Sequence, residues 1–292
     1  MKTYTSEELK EILELHKKWL NDEKNGIRAN LVNVDLHNAN LNSADLSNAI
    51  LSYANLYNAD LVNANLNSAD LRNASLVNAD LHNADLSYAI LSYANLYNVD
   101  LHNANLNSAD LSYTDLRNAN LYNADLNSAI LSSASLVNAS LVNANLNSAS
   151  LVNANLRNAN LYYANLSYAN LNSANLYNAN LRNANLVNAN LNSANLHNAD
   201  LINANLFNTN LRYAIGEMNY VKSLQCEKYY ISYTYKTLNI GCQSHLIEDW
   251  KNFTDEQISK MDDGALDLWN KWKPILMNII EVSPCKTHKD EE

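Results

Sequence analysis

The hydrophobic pattern is dominated by one interval. From Leu31 to Leu211 a leucine stands at every fifth position without exception, and the residue two places before each leucine is alanine except at Val34, Val99, Thr114 and Thr209. The position just before each leucine is mostly Asn, Asp or Ser, and Asn, Ser or Tyr recurs two places after it. A period of five smears leucines around a 3.6-residue helix and sends them alternately to both faces of a strand, so neither element explains it. If five residues instead make one quarter of a 20-residue coil, leucines and small residues all point inward. Successive coils then bury a core that none could bury alone. Polar residues at the corners suit such turns, because Asn and Asp bond local backbone and tolerate unusual dihedral angles. Stacked at strand spacing, about nine coils would make a rod of roughly 45 Å.

This pattern, written "NADLHNADLSYAILSYANLYNVDL" at 78–101, resembles the pentapeptide repeat family, whose repeat is A(D/N)LXX. The resemblance runs from Ala29 to Ile215 and implies an all-β solenoid, a right-handed quadrilateral parallel β-helix. The expected organisation is an N-terminal capping helix in 1–25, the repeat in 26–215, a small α+β module in 216–285 that caps or interacts, and a disordered tail in 286–292. The α+β module resembles C-terminal extensions of bacterial and phage-associated members.

The ends follow ordinary rules. In "TSEELKEILELHKKWL" at 5–20, Thr5 and Glu8 form a capping box, and Leu9, Ile12, Leu13, His16 and Leu20 share one helical face. His16 reads as an interface histidine over the first coil. Residues 219–243 alternate as two or three antiparallel strands. A helix with Ser244 as N-cap follows, then one opened by Thr254 and Gln257, then a last helix over 264–280 that Pro274 kinks or divides. Cys226 and Cys242 flank the predicted hairpin as small buried hydrophobes. Three roles are open to this module: cap, binding head or dimerisation element.

Charge narrows the function classes. The net charge is −10 and the pI about 5.1, which disfavours direct nucleic acid binding and anionic membranes. No signal-like or membrane-length apolar run is present, so a cytoplasmic location is expected. Eleven aspartates lie in the repeat, ten of them before residue 126, against six arginines counted from Arg28. Asp60, Asp80 and Asp100 fall 20 residues apart and form a candidate acidic ridge. Some pentapeptide repeat proteins resemble B-form DNA in shape and charge and act on DNA gyrase. A 45 Å duplex carries about 26 phosphates, so this rod would be a sparse mimic.

Tyrosines 53, 57, 88, 93, 97, 113, 122, 162, 163, 168, 177 and 213 project outward. Tyr93, Tyr113, Tyr162, Tyr163, Trp250, Trp269 and Trp272 form a candidate interaction surface. On another column Ile50, Asp70, Ile90, Asp110 and Ile130 repeat every 40 residues, as duplication of a two-coil unit would produce. No phosphate loop, dinucleotide fingerprint, zinc motif or nucleophile elbow occurs, and no catalytic, cofactor-binding or metal-ligating residues are assigned. The sequence therefore reads as a non-enzymatic structural or protein-interaction scaffold with an unidentified protein partner. The alternative is a DNA-mimicking inhibitor or protector of gyrase or another DNA-binding protein. A homodimer through the C-terminal region is a further expectation.

Overall fold

The computed structural model describes residues 1–216, 222–226, 229–241 and 243–285. From Asn33 to Tyr213 every fifth residue has a φ between 54° and 62°. Each sits third in a tight turn, as where Ala39 N–H bonds Leu36 O at 3.0 Å. A positive φ at the third turn position normally calls for Gly or Asn. Here the chain, with only four glycines, uses Asn, Ser and Tyr.

Each turn brings the chain back to its own start 20 residues later. Parallel bridges link Asn30 to Ile50, Asp35 to Asn55 and so on to Asn195 and Ile215, in four columns. Two bonds serve each bridge: Leu31 N–H donates to Ile50 O at 2.7 Å, and Ile50 N–H to Ala29 O at 3.0 Å. The leucines from Leu31 to Leu211 and almost all the alanines form one buried cluster.

The backbone corrects the expected all-β solenoid and its right-handed quadrilateral parallel β-helix. Within the repeat the single strand is the two-residue β2 (Val34–Asp35), paired with β1 (Lys2–Thr3). Every other pairing there is an isolated bridge, and no sheet among the described residues closes or curls on itself. The cause is the positive φ at each fifth residue, which interrupts every extended run before it becomes a strand. What stands in the structure is a stack of turns joined by single-residue bridges.

Helix α1 (Ser6–Leu20) starts at a Thr5/Glu8 capping box and packs Leu9, Ile12 and Leu13 on the leucine cluster. His16 is buried beneath it. Its Nδ1 accepts from Ala29 N–H at 3.1 Å, and its Nε2–H donates to Ser47 O at 3.0 Å. That pair of bonds requires the neutral ring, and burial, the largest influence, lowers its pKa.

After the repeat, β3 (Lys222–Cys226), β4 (Tyr229–Tyr233), β5 (Thr237–Ile240) and β6 (Gln243–Leu246) form an antiparallel sheet in chain order. Ser244 lies in β6, so it is not the helix cap; α2 (Ile247–Asn252) begins after Leu246. Helix α3 (Asp255–Ser259) has the expected Thr254/Gln257 box. Helix α4 (Ala265–Val282) contains Pro274 and runs through it undivided. These elements share a second core that includes Ile231, Leu238, Trp250, Trp269 and Leu276. Tyr235 touches the last coil, donating its hydroxyl to Asn203 Oδ1 at 3.4 Å.

Candidate protein-binding surfaces

Each Asp or Asn before a leucine first serves its own turn. Its Oδ1 accepts the backbone N–H two residues on, as Asp60 does from Val62 at 3.1 Å and Asn65 from Asn67 at 3.1 Å. An Asn there has a second use, because its Nδ2 donates to the residue one coil earlier. Asn65 bonds Asp45, Asn105 bonds Asp85 and Asn145 bonds Asp125, at 3.0, 3.0 and 2.9 Å. In that column carboxylates alternate with amides, so like charges stand two coils apart.

The column of Asp60, Asp80 and Asp100 breaks the alternation. The three are bridged in succession with no amide between them, and only Asp100 receives an amide from the coil beyond, Asn120 at 2.9 Å. Their polar company is histidine: His82 Nδ1 meets Asp80 at 2.7 Å and His102 Nδ1 meets Asp100 at 2.8 Å. The two imidazoles stack with centroids 4.7 Å apart. Asp80 keeps 46% of its side chain exposed.

The other two columns are treated differently. Arg72 holds Asp70 through two bonds of 2.9 and 2.6 Å, and Arg117 holds Asp115 through bonds of 2.8 and 2.6 Å. These guanidinium contacts are the leading reason both carboxyls are lowered below the usual carboxylate range. Asp35 is also lowered, the hydrogen bonds from His37 and Asn55 outweighing the desolvation that opposes them. Six carboxylates, at Asp45, Asp60, Asp80, Asp85, Asp100 and Asp125, thus occupy two adjacent columns that, beyond Arg28 at the N-terminal end, have no arginine or lysine until Arg182. This grouping escaped the sequence reading, which followed one column at a time. The signal was present in the positions of Arg72 and Arg117.

The aromatic candidates divide. Tyr93 and Tyr113 stack in parallel at 4.9 Å, and Tyr162 meets Tyr163 edge-on at 4.4 Å. Tyr93, Tyr113 and Tyr163 are exposed. Trp250 and Trp269 are each only 3% exposed and belong to the second core, where Trp250 Nε1–H donates to Leu238 O at 2.6 Å. Both are therefore core residues and leave the candidate surface. Trp272 packs against the same core, half-buried. Five of the seven outward tyrosines with positive φ (53, 88, 93, 113 and 168) follow a serine, a pairing the sequence reading missed.

Among the described residues no group of three or more His, Cys, Asp or Glu is arranged to hold a metal ion. Cys285 is buried, and desolvation pushes its thiol up to about 11, which suits a packing role. Cys242, His288 and residues 286–292 lie outside the described residues. No helix among the described residues is long and apolar enough to cross a membrane.

Stacked five-residue turns around a leucine core define a repeat protein whose outer surface is free for contacts. The family model for pentapeptide repeats matches residues 29–67, 64–103, 104–141, 139–176 and 174–212, and the chain belongs to that family. It is similar to HetL, a pentapeptide repeat protein involved in heterocyst differentiation regulation from Nostoc sp. strain PCC 7120. The identity is 33% over 70% of this chain and 95% of that one, with a TM-score of 0.41. Rfr23 from the cyanobacterium Cyanothece 51142 is 40% identical over 37% of this chain and 60% of its own, with a TM-score of 0.26. QnrB1, a plasmid-mediated fluoroquinolone resistance protein, is 17% identical over 65% of this chain and 92% of that one, with a TM-score of 0.45. No curated protein sequence matches.

Proposed function

We propose that this protein binds a basic protein surface through the strip of six carboxylates, and that its partner is a protein that otherwise holds DNA. The observation that carries this reading is the unbroken stack of Asp60, Asp80 and Asp100. Asparagine fills the same turn role in the second half of the rod, at Asn160 and Asn180, and adds a bond between coils of 3.0 Å. The turn needs only an acceptor, which asparagine also supplies, whereas three consecutive carboxylates repel one another, a cost that His82 and His102 offset only at Asp80 and Asp100. Their retention on columns without arginine between Arg28 and Arg182 supports a cationic partner.

From Asp45 to Asp125 the strip spans four coil steps, about 19 Å. Duplex DNA carries about 11 phosphates in that length, so the strip offers roughly half the density, along one edge only. Bacterial DNA gyrase is the partner that the family resemblance suggests, and such a partner puts the protein in the cytoplasm. A second reading, a scaffold that meets its partner through exposed tyrosines, is supported by Tyr93 and Tyr113, which the fold would sooner make Asn.

The test is a gyrase supercoiling and relaxation assay across a titration of the protein, beside the Asp60→Asn/Asp80→Asn/Asp100→Asn variant. Inhibition, or protection from a gyrase-directed drug, that is lost in the variant is the expected result. Equal effects of both proteins, or none, would remove the strip from the function and leave the tyrosine scaffold.

A further inference from the structure

Half a coil from the Asp60 column, the order Ile50, Asp70, Ile90, Asp110, Ile130 reads the same in both directions about Ile90. Ile90 and Ile130 are exposed at 38% and 45%. On the turns either side of Ile90 stand Tyr88 and Tyr93, each about 60% exposed and each in the left-handed backbone region. A tyrosine there is strained, because its Cβ crowds the following carbonyl oxygen, and Asn, which tolerates that region, occupies most of the rod's equivalent turns. Strain kept at a surface position points to a use outside the fold.

We propose that this side of the rod is a self-association surface whose occupant is a second copy of the chain, antiparallel, about a twofold axis through Ile90. A twofold interface must be self-complementary, and the reversible order supplies that. The axis sets Ile90 against its own copy and Ile50 against the partner's Ile130. It also sets Tyr88 against the partner's Tyr88 and Tyr93 against the partner's Tyr93, so that four tyrosines frame the isoleucine contact.

Charge fits the same arrangement. At the remaining levels Asp70 faces the partner's Asp110, but Asp70 is already held by Arg72. Asp110 accepts only from Ser112, at 3.0 and 2.6 Å, and has no ion pair among the described residues. The Arg72 guanidinium therefore lies against the partner's unpaired carboxylate. The inference goes beyond the proposed gyrase role and leaves the acidic strip outward on both copies.

Sedimentation velocity over low to high micromolar concentrations tests it on the full chain. The wild type should be a dimer. The Tyr88→Asn/Ile90→Asn/Tyr93→Asn variant should be a monomer with unchanged circular dichroism and no loss of melting temperature, because asparagine already occupies equivalent turns and bridges elsewhere in the rod. Ile90→Cys should form a disulfide between two copies of residue 90 under mild oxidation, with the wild type as control for the native cysteines. A monomeric wild type would overturn the proposal. So would a dimer that survives the triple substitution, which would assign association to the C-terminal region.

Discussion

At Tyr88 and Tyr93 φ is 59° and 62°, a region where an L-residue with a large side chain has little to gain. The same turn recurs every five residues, so residue identity there separates what the fold wants from what the surface wants. Asn answers the fold, and it dominates the second half of the rod. The inward positions admit no such freedom. Leu121 is buried completely, while Tyr122 beside it is exposed at 42%. Leu121→Asn should cost about 3 kcal/mol or more, since it loses a buried leucine and strands an amide. Tyr122→Asn should stay within about 0.5 kcal/mol. Urea unfolding of the two variants checks the contrast. The leucine and alanine positions were legible in the sequence because burial tolerates only apolar residues. The positive φ was legible only in part, because Asn at the corners signals it and Ser and Tyr in the same position do not.

Among the elements, α1 depends on one buried histidine. His16 bonds both Ala29 and Ser47 only while neutral, and its folded pKa is lowered, first by desolvation. The unfolded chain, with an ordinary imidazole, takes up its proton first as pH falls. Stability from this site is therefore complete above about pH 6.5 and declines below it, down to the folded pKa. Melting curves of the wild type and His16→Gln from pH 8 to 5 should show the wild type losing more stability on acidification. Parallel loss in both would remove His16 as the cause. The helix and its cap were legible, because "TSEE" and the 3.6-residue spacing are local signals. Ser244 misled for a complementary reason: β6 is chosen by its pairing with β5, a tertiary demand that outweighs a good cap residue. Trp250 and Trp269 were likewise read as surface, since sequence cannot show that a small sheet and three helices close over them.

For the molecule as a whole, the five-residue period revealed the stacking but not its backbone, which is a ladder of single bridges instead of strands. Its charge is likewise divided by column. Asp70 and Asp115 are held by arginines, Asp45, Asp85 and Asp125 alternate with amides, and Asp60, Asp80 and Asp100 do neither. Binding through the six-carboxylate strip should weaken steeply with salt, because both surfaces are charged and exposed. Titrating the complex with sodium chloride checks this, and a salt-independent affinity would favour the tyrosine side.

If the ridge is kept for a partner and not for the fold, removing its charges should leave the rod no weaker. Thermal and urea unfolding of Asp60→Asn/Asp80→Asn/Asp100→Asn against the wild type tests it most directly. Stacked carboxylates about 4.8 Å apart repel by about 1 kcal/mol per pair in water, and each new amide adds a bond between coils worth about 0.5–1.5 kcal/mol. Relief of two such pairs and up to three such bonds outweighs loss of the His82–Asp80 and His102–Asp100 ion pairs, worth about 0–1 kcal/mol each, so the variant should be more stable than the wild type by at least about 1 kcal/mol. A variant that unfolds more readily would show that the carboxylates serve the rod itself, and would contradict the account.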